Sequence, residues 1–230
     1  MNPKLKQFTT TGIVLARTDY GEADRILTFL TAYHGKVKAI AKGVRKSKSK
    51  LAGGIELFSV SELTLIVGRG EINTLISTRL VKYYGNIVKD IERTNAGYEI
   101  IKLVNKNTED GAEGSYFHLL EEAFKALDDT ELDFKLTKLW FDMQLLKLAG
   151  HIPDLQTDAA GVRLAASDTY DFHIDEMRLV PQAAEQGALN TNHIKFMRLG
   201  FSASRPQVLG RIQGAEGLTG LVQPLVQSML

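Results

Sequence analysis

The apolar residues of this chain change their spacing near residue 90, and that change limits what the chain can fold into. Before it, the period is two. Val37, Ala39 and Ala41 alternate with Lys36, Lys38, Ile40 and Lys42, as on a strand with one buried face. Ile13 to Ala16 is a short apolar run, and Arg25 to Thr31 carries Ile26, Leu27, Phe29 and Leu30. Leu63, Leu65 and Val67 alternate again. Gly68-Arg69-Gly70 then turns the chain into a segment whose Ile72, Thr74, Ile76, Thr78 and Leu80 are expected to share one face. Five strands in about 75 residues, punctuated by glycine turns, predict a small barrel or sandwich. The strand count favours the five-stranded OB type over an SH3-like barrel.

Beyond residue 90 the period becomes helical. A helix is expected through Tyr98, Ile101 and Val104. Phe117, Leu120, Phe124 and Leu127 form the apolar stripe of a second. A third carries Leu132, Leu136, Leu139, Trp140, Met143, Leu146 and Ala149. Thr130 with Asp133 makes a capping box for its start, and Gly150 and Pro153 stop it. Residues 151–190 lose this period. Tyr170, Phe172 and Ile174 alternate, with Met177 and Leu179 as pairing candidates, so a small β-rich insert is expected. Helical spacing returns at 190–198 and 218–229, where Pro224 marks a kink or a first turn. The predicted class is α+β and multi-module, with an N-terminal five-stranded OB-fold β-barrel and a mostly α-helical domain bearing a small β-rich insert. The predicted boundaries are 1–82 and 83–230, with the insert at 155–190.

Charge follows the same division. Up to position 82 there are 14 basic and 6 acidic residues; after it there are 14 and 21. The net charge of +1 therefore hides a basic front and an acidic back, which suggests two modules with different partners. The chain has no cysteine, which excludes disulfides and thiolate metal sites and agrees with a reducing compartment. No run approaches the roughly 18 apolar residues of a membrane span, and no apolar leader core follows the first lysines. A cytoplasmic protein without membrane association is expected.

The densest basic stretch is the candidate functional feature. Lys36, Lys38, Lys42, Arg45, Lys46, Lys48 and Lys50 fall within fifteen residues, and no acidic residue lies between Lys36 and Ile55. A cationic strand face running into a flexible Lys/Ser loop would neutralise phosphates and release counterions. Ser47 and Ser49 could add phosphate hydrogen bonds. Arg17, Arg25, Arg69, Arg79 and Lys82 would extend the footprint if the barrel closes. A solvated basic loop without a partner is the competing reading. Tyr20, Phe29 and Tyr33 are candidates for base stacking, and each fits a barrel core equally well.

Catalytic motifs are weak. Asp19, Glu22 and Asp24 could hold Mg²⁺ and support a metal-dependent enzyme, but a polar turn between the first two strands, with Asp24 or Glu22 pairing a nearby arginine or lysine, explains them more simply. Ser47-Lys-Ser-Lys50 matches a Ser-x-x-Lys pattern only through low complexity. Gly68-Arg-Gly70 lacks the rest of a dinucleotide fingerprint. His34, His118, His151, His173 and His193 show no ligand spacing. No catalytic residue, metal or cofactor is expected.

Gly12-Ile-Val-Leu15, Tyr20-Gly-Glu-Ala-Asp24, Leu27-Thr-Phe-Leu-Thr31, Gly35 and Ala41-Lys-Gly43 with its basic tail stand in an order that resembles the N-terminal signature of the RecO family. Gly150-His-Ile-Pro-Asp-Leu155 resembles the stretch that precedes a zinc-binding part in many members. The resemblance implies a DNA repair and homologous recombination mediator rather than an enzyme. It implies binding of single- and double-stranded DNA, strand annealing, and nucleoid association. The implied partners are RecR and the acidic C-terminal tail of single-stranded-DNA-binding protein, with RecA loaded indirectly. A generic OB-fold adaptor for DNA or RNA is the alternative. In place of the two cysteine pairs of many members, residues 156–162 read Gln-Thr-Asp-Ala-Ala-Gly-Val, so the insert is expected to be a zinc-finger-like segment without metal. A tail-binding groove needs an apolar pocket rimmed by cations. Phe196, Met197, Arg198, Phe201 and Arg205 supply both types, although core packing of the two phenylalanines competes.

Overall fold

A computed structural model describes residues 6–68, 70–108, 114–183 and 186–230. Two compact units result, Met1–Asp129 and Thr130–Leu230.

The first unit opens with β1 (Gln7–Tyr20), β2 (Asp24–Thr31), β3 (Gly35–Ala41), β4 (Ser59–Ile66) and β5 (Ile72–Tyr83). They close a barrel in the order β1-β2-β3-β5-β4, the Greek-key arrangement of the OB fold. β1 is much longer than the apolar run at 13–16 because it serves two neighbours. Residues 7–13 pair with β4 and residues 12–20 with β2. Closure comes from a short parallel ladder that sets Lys38, Ala39 and Ile40 beside Ile72, Asn73 and Thr74. The Asn73 amide reinforces it by donating to the Lys38 carbonyl at 3.2 Å. Val14, Leu27, Phe29, Val37, Ala39, Ala41, Leu63, Leu65 and Leu75 fill the interior, with Val44 and Ile55 reaching in from the β3–β4 connection. The alternation expected in β3 is therefore the observed one.

The face expected for β5 is not. Ile72, Ile76 and Leu80 are 42–47% exposed, and Leu75 is the buried residue. Register breaks at Val60/Ser61 and Thr64/Leu65 explain the difference. Each leaves one extra residue on β5, Val81 and Ile76, so the side-chain alternation shifts along the strand.

Two helices complete the unit, α1 (Ile91–Asn107) and α2 (Ser115–Asp128). The Asp90 carboxylate accepts from the Glu92 and Arg93 amides and caps α1. Arg93 donates to the Leu127 and Asp129 carbonyls at 2.9 Å each, satisfying the end of α2 with a cation. The stripe Phe117, Leu120, Phe124 and Leu127 is buried as expected. Phe58 joins this pair to the barrel. It adopts a left-handed backbone (φ 57°), and its ring meets Tyr98 and Phe124 edge-on at 5.4 Å. Gly97 gives it room: a Cβ there would stand 2.5 Å from Phe58 Cε1.

The second unit is built on α3 (Phe134–Leu148), followed by β6 (Thr169–His173), β7 (Arg178–Gln182), α4 (Thr191–Ser202), α5 (Gln207–Gly210) and α6 (Ala215–Ser228). The capping box expected from Thr130 does not form. The helix starts later, and the Asp133 carboxylate caps it by accepting from the Lys135 amide. Gly150 ends it at φ 80°. α3 is buried on nearly all sides, and the Trp140 indole donates to the Ala203 carbonyl at 2.9 Å. Pro224 lies inside α6.

The insert is the expected hairpin of β6 and β7, with Phe172 opposite Leu179. Its residues do not suit a zinc ion. There is no cysteine, and no three potential ligands converge among the described residues. Its turns hang on aspartates instead. Asp154 accepts from the Gln156 and Thr157 amides and the Thr157 hydroxyl, and Asp158 accepts from the Ala160 and Val162 amides. Buried Tyr170, Leu179 and Leu189 form its small core.

Two outcomes follow. Gly97→Val should overpack the Phe58 contact and destabilise the first unit by about 1–3 kcal/mol, read as a lower denaturant midpoint. The Thr157 hydroxyl, followed by the Gln156 amide, holds the Asp154 carboxyl below its ordinary value of 3.8. A depressed carboxylate contributes stability that is present above the unfolded value and lost as pH falls through the folded one. Asp154→Ala should therefore speed amide exchange at Gln156 and Thr157 at neutral pH, with the difference from the parent shrinking in acid below that value.

Candidate nucleic-acid interface

In OB barrels, ligands meet the outer face of strands 2 and 3 and the loops beside it. Here Ile26 stands opposite Ile40 and Thr28 opposite Lys38, all pointing away from the core residues between them. At one end of this face Leu30 is fully buried despite facing outward, and the Lys36 amine donates to the Asn105 carbonyl of α1 at 2.8 Å. The helix thus closes that end. The other end stays open and leads to the β1–β2 turn and the basic β3–β4 connection.

Those two segments are fastened together. Gly43, in a left-handed conformation (φ 65°), donates its amide to Asp24 Oδ1 at 2.7 Å. The Arg45 amide donates to the Ala23 carbonyl at 2.9 Å, and the Arg45 guanidinium reaches the Gly21 carbonyl at 3.4 Å. Val44, 5% exposed, is the peg between these bonds. The expected loop takes the form of a run of turns, with Lys46 N–H to Gly43 and Ser49 N–H to Lys46. Lys42, Lys46, Lys48 and Lys50 project from it, exposed and without an ion-pair partner among the described residues.

The other predicted cations divide into groups. Arg17, Arg25 and Arg45 gather at the mouth of the barrel, where two carboxylates meet them. Asp19 takes Arg25 Nε at 2.8 Å and Arg45 Nε at 3.5 Å, and Glu56 takes Arg17 at 3.3 Å. The hydrogen bond from Arg25 is the main reason that the Asp19 carboxyl titrates below its ordinary range. Lys38 stands on the open face, 4.0 Å from Glu71. Lys36 is taken up by α1, as described. Arg79 forms a fork with Glu62 on β4, and Lys82 lies opposite Val60 with its amine 5.8 Å from the Tyr84 ring. Arg69 lies outside the described residues.

The aromatic candidates separate as well. Phe29 is fully buried core. Tyr20 is 56% exposed beside the fastened loops, and Tyr33 is 84% exposed in the turn at the opposite end of β2. Asp19 and Asp24 are engaged by arginines and by the Gly43 amide, and with Glu22 they form no group suited to a metal ion.

In the second unit, Phe196 and Phe201 are buried on the inner side of α4, and Arg198 donates to the Leu155 carbonyl through Nε and Nη2. Arg205 is exposed and engaged within the fold. Beside them, a pocket of about 590 Å³ is lined by Lys195, Phe196, Leu199, Ile212 and Leu218. The i, i+4 spacing of Lys195 and Leu199 was the available signal for it.

Sequence comparison adds an independent finding. Residues 4–84 match the family described as Recombination protein O N terminal, and residues 88–193 match Recombination protein O C terminal. The chain is 30% identical over 172 residues to "DNA repair protein RecO" of Alkaliphilus metalliredigens, covering 74% of this chain and 69% of that one. The protein of the same name in Dehalococcoides mccartyi is 34% identical over 154 residues, 66% of this chain and 60% of the relative. A Roseiflexus relative with that name is 29% identical over 228 residues, 97% and 80% of the two chains. The match thus spans less than two thirds of the Dehalococcoides relative's length.

Removing the Asp24 anchor should loosen the loop without unfolding the barrel. In Asp24→Ala, the Gly43 amide should exchange about fivefold faster, matching the ~1 kcal/mol of one hydrogen bond, while amides of Leu27 and Ala39 keep their protection.

Proposed function

Because the chain belongs to the RecO family of DNA repair proteins, we propose that it binds single- and double-stranded DNA through the open end of the barrel face and acts as a recombination mediator without catalysis of its own. The observation that carries this reading is the ordered loop with Lys42, Lys46, Lys48 and Lys50 exposed, fastened to the β1–β2 turn beside exposed Tyr20. Unpaired lysines on a pinned loop give phosphate neutralisation that is independent of sequence. Lys38 and half-buried Ile26, Thr28 and Ile40 offer a mixed surface next to it, and Tyr20 offers a stacking ring. Arg17, Arg25 and Arg45 add positive charge at the barrel mouth.

Such a surface lowers the repulsion between two strands, which is the physical requirement for annealing. The partners in this reading are RecR, the acidic tail of single-stranded-DNA-binding protein and, indirectly, RecA. The pocket of the second unit has the apolar lining and single cation, Lys195, that an acidic apolar tail would need. Phe196 contributes to that lining, whereas Phe201 is buried elsewhere on α4. Activity would be cytoplasmic, at the nucleoid. Among the described residues, no helix is long and apolar enough to cross a membrane.

The test joins binding and annealing, measured with a labelled strand and its complement at two salt concentrations without metal or nucleotide. Tight, salt-sensitive binding with faster annealing is expected. Lys46→Ala, Lys48→Ala and Lys50→Ala combined should weaken binding nearly equally across sequences. They should reduce the salt slope by about 2 on single strands and about 3 on duplex. An unchanged slope would remove the loop from the interface. Binding without annealing, or an equal preference for RNA, would favour a generic OB adaptor.

A further inference from the structure

The barrel mouth contains an arrangement that structural ion pairing alone does not require. Two guanidinium groups from different segments, Arg25 on β2 and Arg45 on the basic connection, converge on one carboxylate, Asp19 at the end of β1. Each takes a different oxygen, Oδ1 at 2.8 Å and Oδ2 at 3.5 Å. Arg17 is close enough to act on the same carboxylate while hydrogen-bonding Glu56. None of these side chains is deeply buried: those of Arg25, Arg45 and Asp19 are 27, 38 and 52% exposed. The backbone at Arg45 is fixed by its bond to Ala23 and by the Val44 peg, and its guanidinium has a second acceptor besides Asp19, the Gly21 carbonyl at 3.4 Å.

A guanidinium fork fits a carboxylate and a phosphate by the same planar geometry. Two guanidinium groups that each turn Nε toward one carboxylate therefore make a seat for an oxyanion, and in the free protein the chain supplies its own. We propose that Asp19 occupies the seat of a nucleic-acid backbone phosphate, and that binding replaces its carboxylate by phosphate on Arg25 and Arg45. This rests on the nucleic-acid reading given above and adds an internal competitor to it. Exposed ion pairs contribute little in water, so the exchange is cheap. The displaced carboxylate has open solvent to swing into, because Tyr20 and Gly21 after it are exposed. Asp19, Glu22, Asp24 and Glu56 outnumber the three arginines at the mouth, so the positive charge there comes from the neighbouring Lys42 and Lys46. The device therefore moderates affinity and gives the strand a fixed point of attachment beside the mobile amines of Lys46, Lys48 and Lys50.

The experiment is fluorescence anisotropy of a labelled oligothymidine at two salt concentrations. It uses the full chain, Asp19→Asn, Glu99→Gln as a charge-matched change on an exposed face of α1, and Arg25→Gln/Arg45→Gln with and without Asp19→Asn. Asp19→Asn should bind about three- to tenfold tighter, with a salt slope steeper by about 0.7. Glu99→Gln should stay within about twofold of the parent. The gain should vanish in the Arg25→Gln/Arg45→Gln background, as a shared seat requires. If Asp19→Asn melts earlier than the parent, Asp19→Ser takes its place with the same expectation. A gain no larger than that of Glu99→Gln, or one that persists without the two arginines, overturns the seat while leaving parent binding, and so the proposed function, intact. A parent chain that fails to bind at low salt overturns both.

Discussion

The first unit depends on how its barrel closes. Three residue pairs of parallel ladder between β3 and β5 carry that closure, helped by the Asn73 side chain reaching the Lys38 carbonyl. A parallel joint this short cannot hold a sheet by hydrogen bonding alone. The interior holds it, because Leu27, Phe29, Ala39, Leu63, Leu65 and Leu75 are buried only when the sheet is curled. The small residues Ala39 and Ala41 on β3 leave interior room for the large Leu27 and Phe29 of the neighbouring β2. Once closure is set, β3 must leave the barrel at the mouth where β1 turns into β2. The basic connection is then delivered to that mouth by the topology.

That geometry decides which cations are available. Positive charge alone in residues 1–82 would predict a broad, uniform patch. The fold instead gives each cation its own circumstances. Lys36 is drawn under α1, Arg79 is matched by Glu62 across the strand pair, and the mouth arginines are held by Asp19 and Glu56. The lysines of the connection have no ion-pair partner among the described residues. Arginines with fixed forks sit where the backbone is pinned, and lysines with long, well-hydrated stems project from the turns beyond. Orientation and long-range attraction are thus assigned to different residue types, in keeping with their chemistry.

How far the sequence discloses this differs from element to element. Period and turn residues suffice for β3 and α2, which each bury one regular face, and they place β2, α1 and α3, although α3 is buried on nearly all sides and Tyr98 of α1 is half exposed. They fail on β5, where Ile76 and Val81 are inserted without any glycine or proline to announce them. They also leave Tyr20, Phe29 and Tyr33 equivalent, since an aromatic ring at a strand end and one in its middle look alike until the register is known. The cap of α3 is misplaced by three residues because Thr130 and Asp133 are both competent and only packing chooses. The acidic cluster at 19–24 shows the same limit from the other side. Asp19 and Arg25 are six residues apart in sequence and directly opposite across the β1–β2 ladder, so neither spacing nor composition distinguishes an ion pair from a metal site.

The insert of the second unit takes that argument one step further. A zinc knuckle fixes a tight turn by giving its backbone a charged centre to organise around. Asp154 and Asp158 do this with covalently attached charge: each carboxylate gathers two backbone amides of its own turn. The rest of the cohesion comes from Tyr170, whose hydroxyl accepts from the Ala165 amide and whose backbone pairs with Leu189, and from fully buried Leu179. A metal contributes its binding free energy to folding and makes that folding depend on metal supply. Aspartate turns contribute less and need no metal. The segment therefore needs its apolar centre more than a metal-bound equivalent would, and the side chains that fill it, Tyr170, Leu179 and Leu189, are 2% exposed or less.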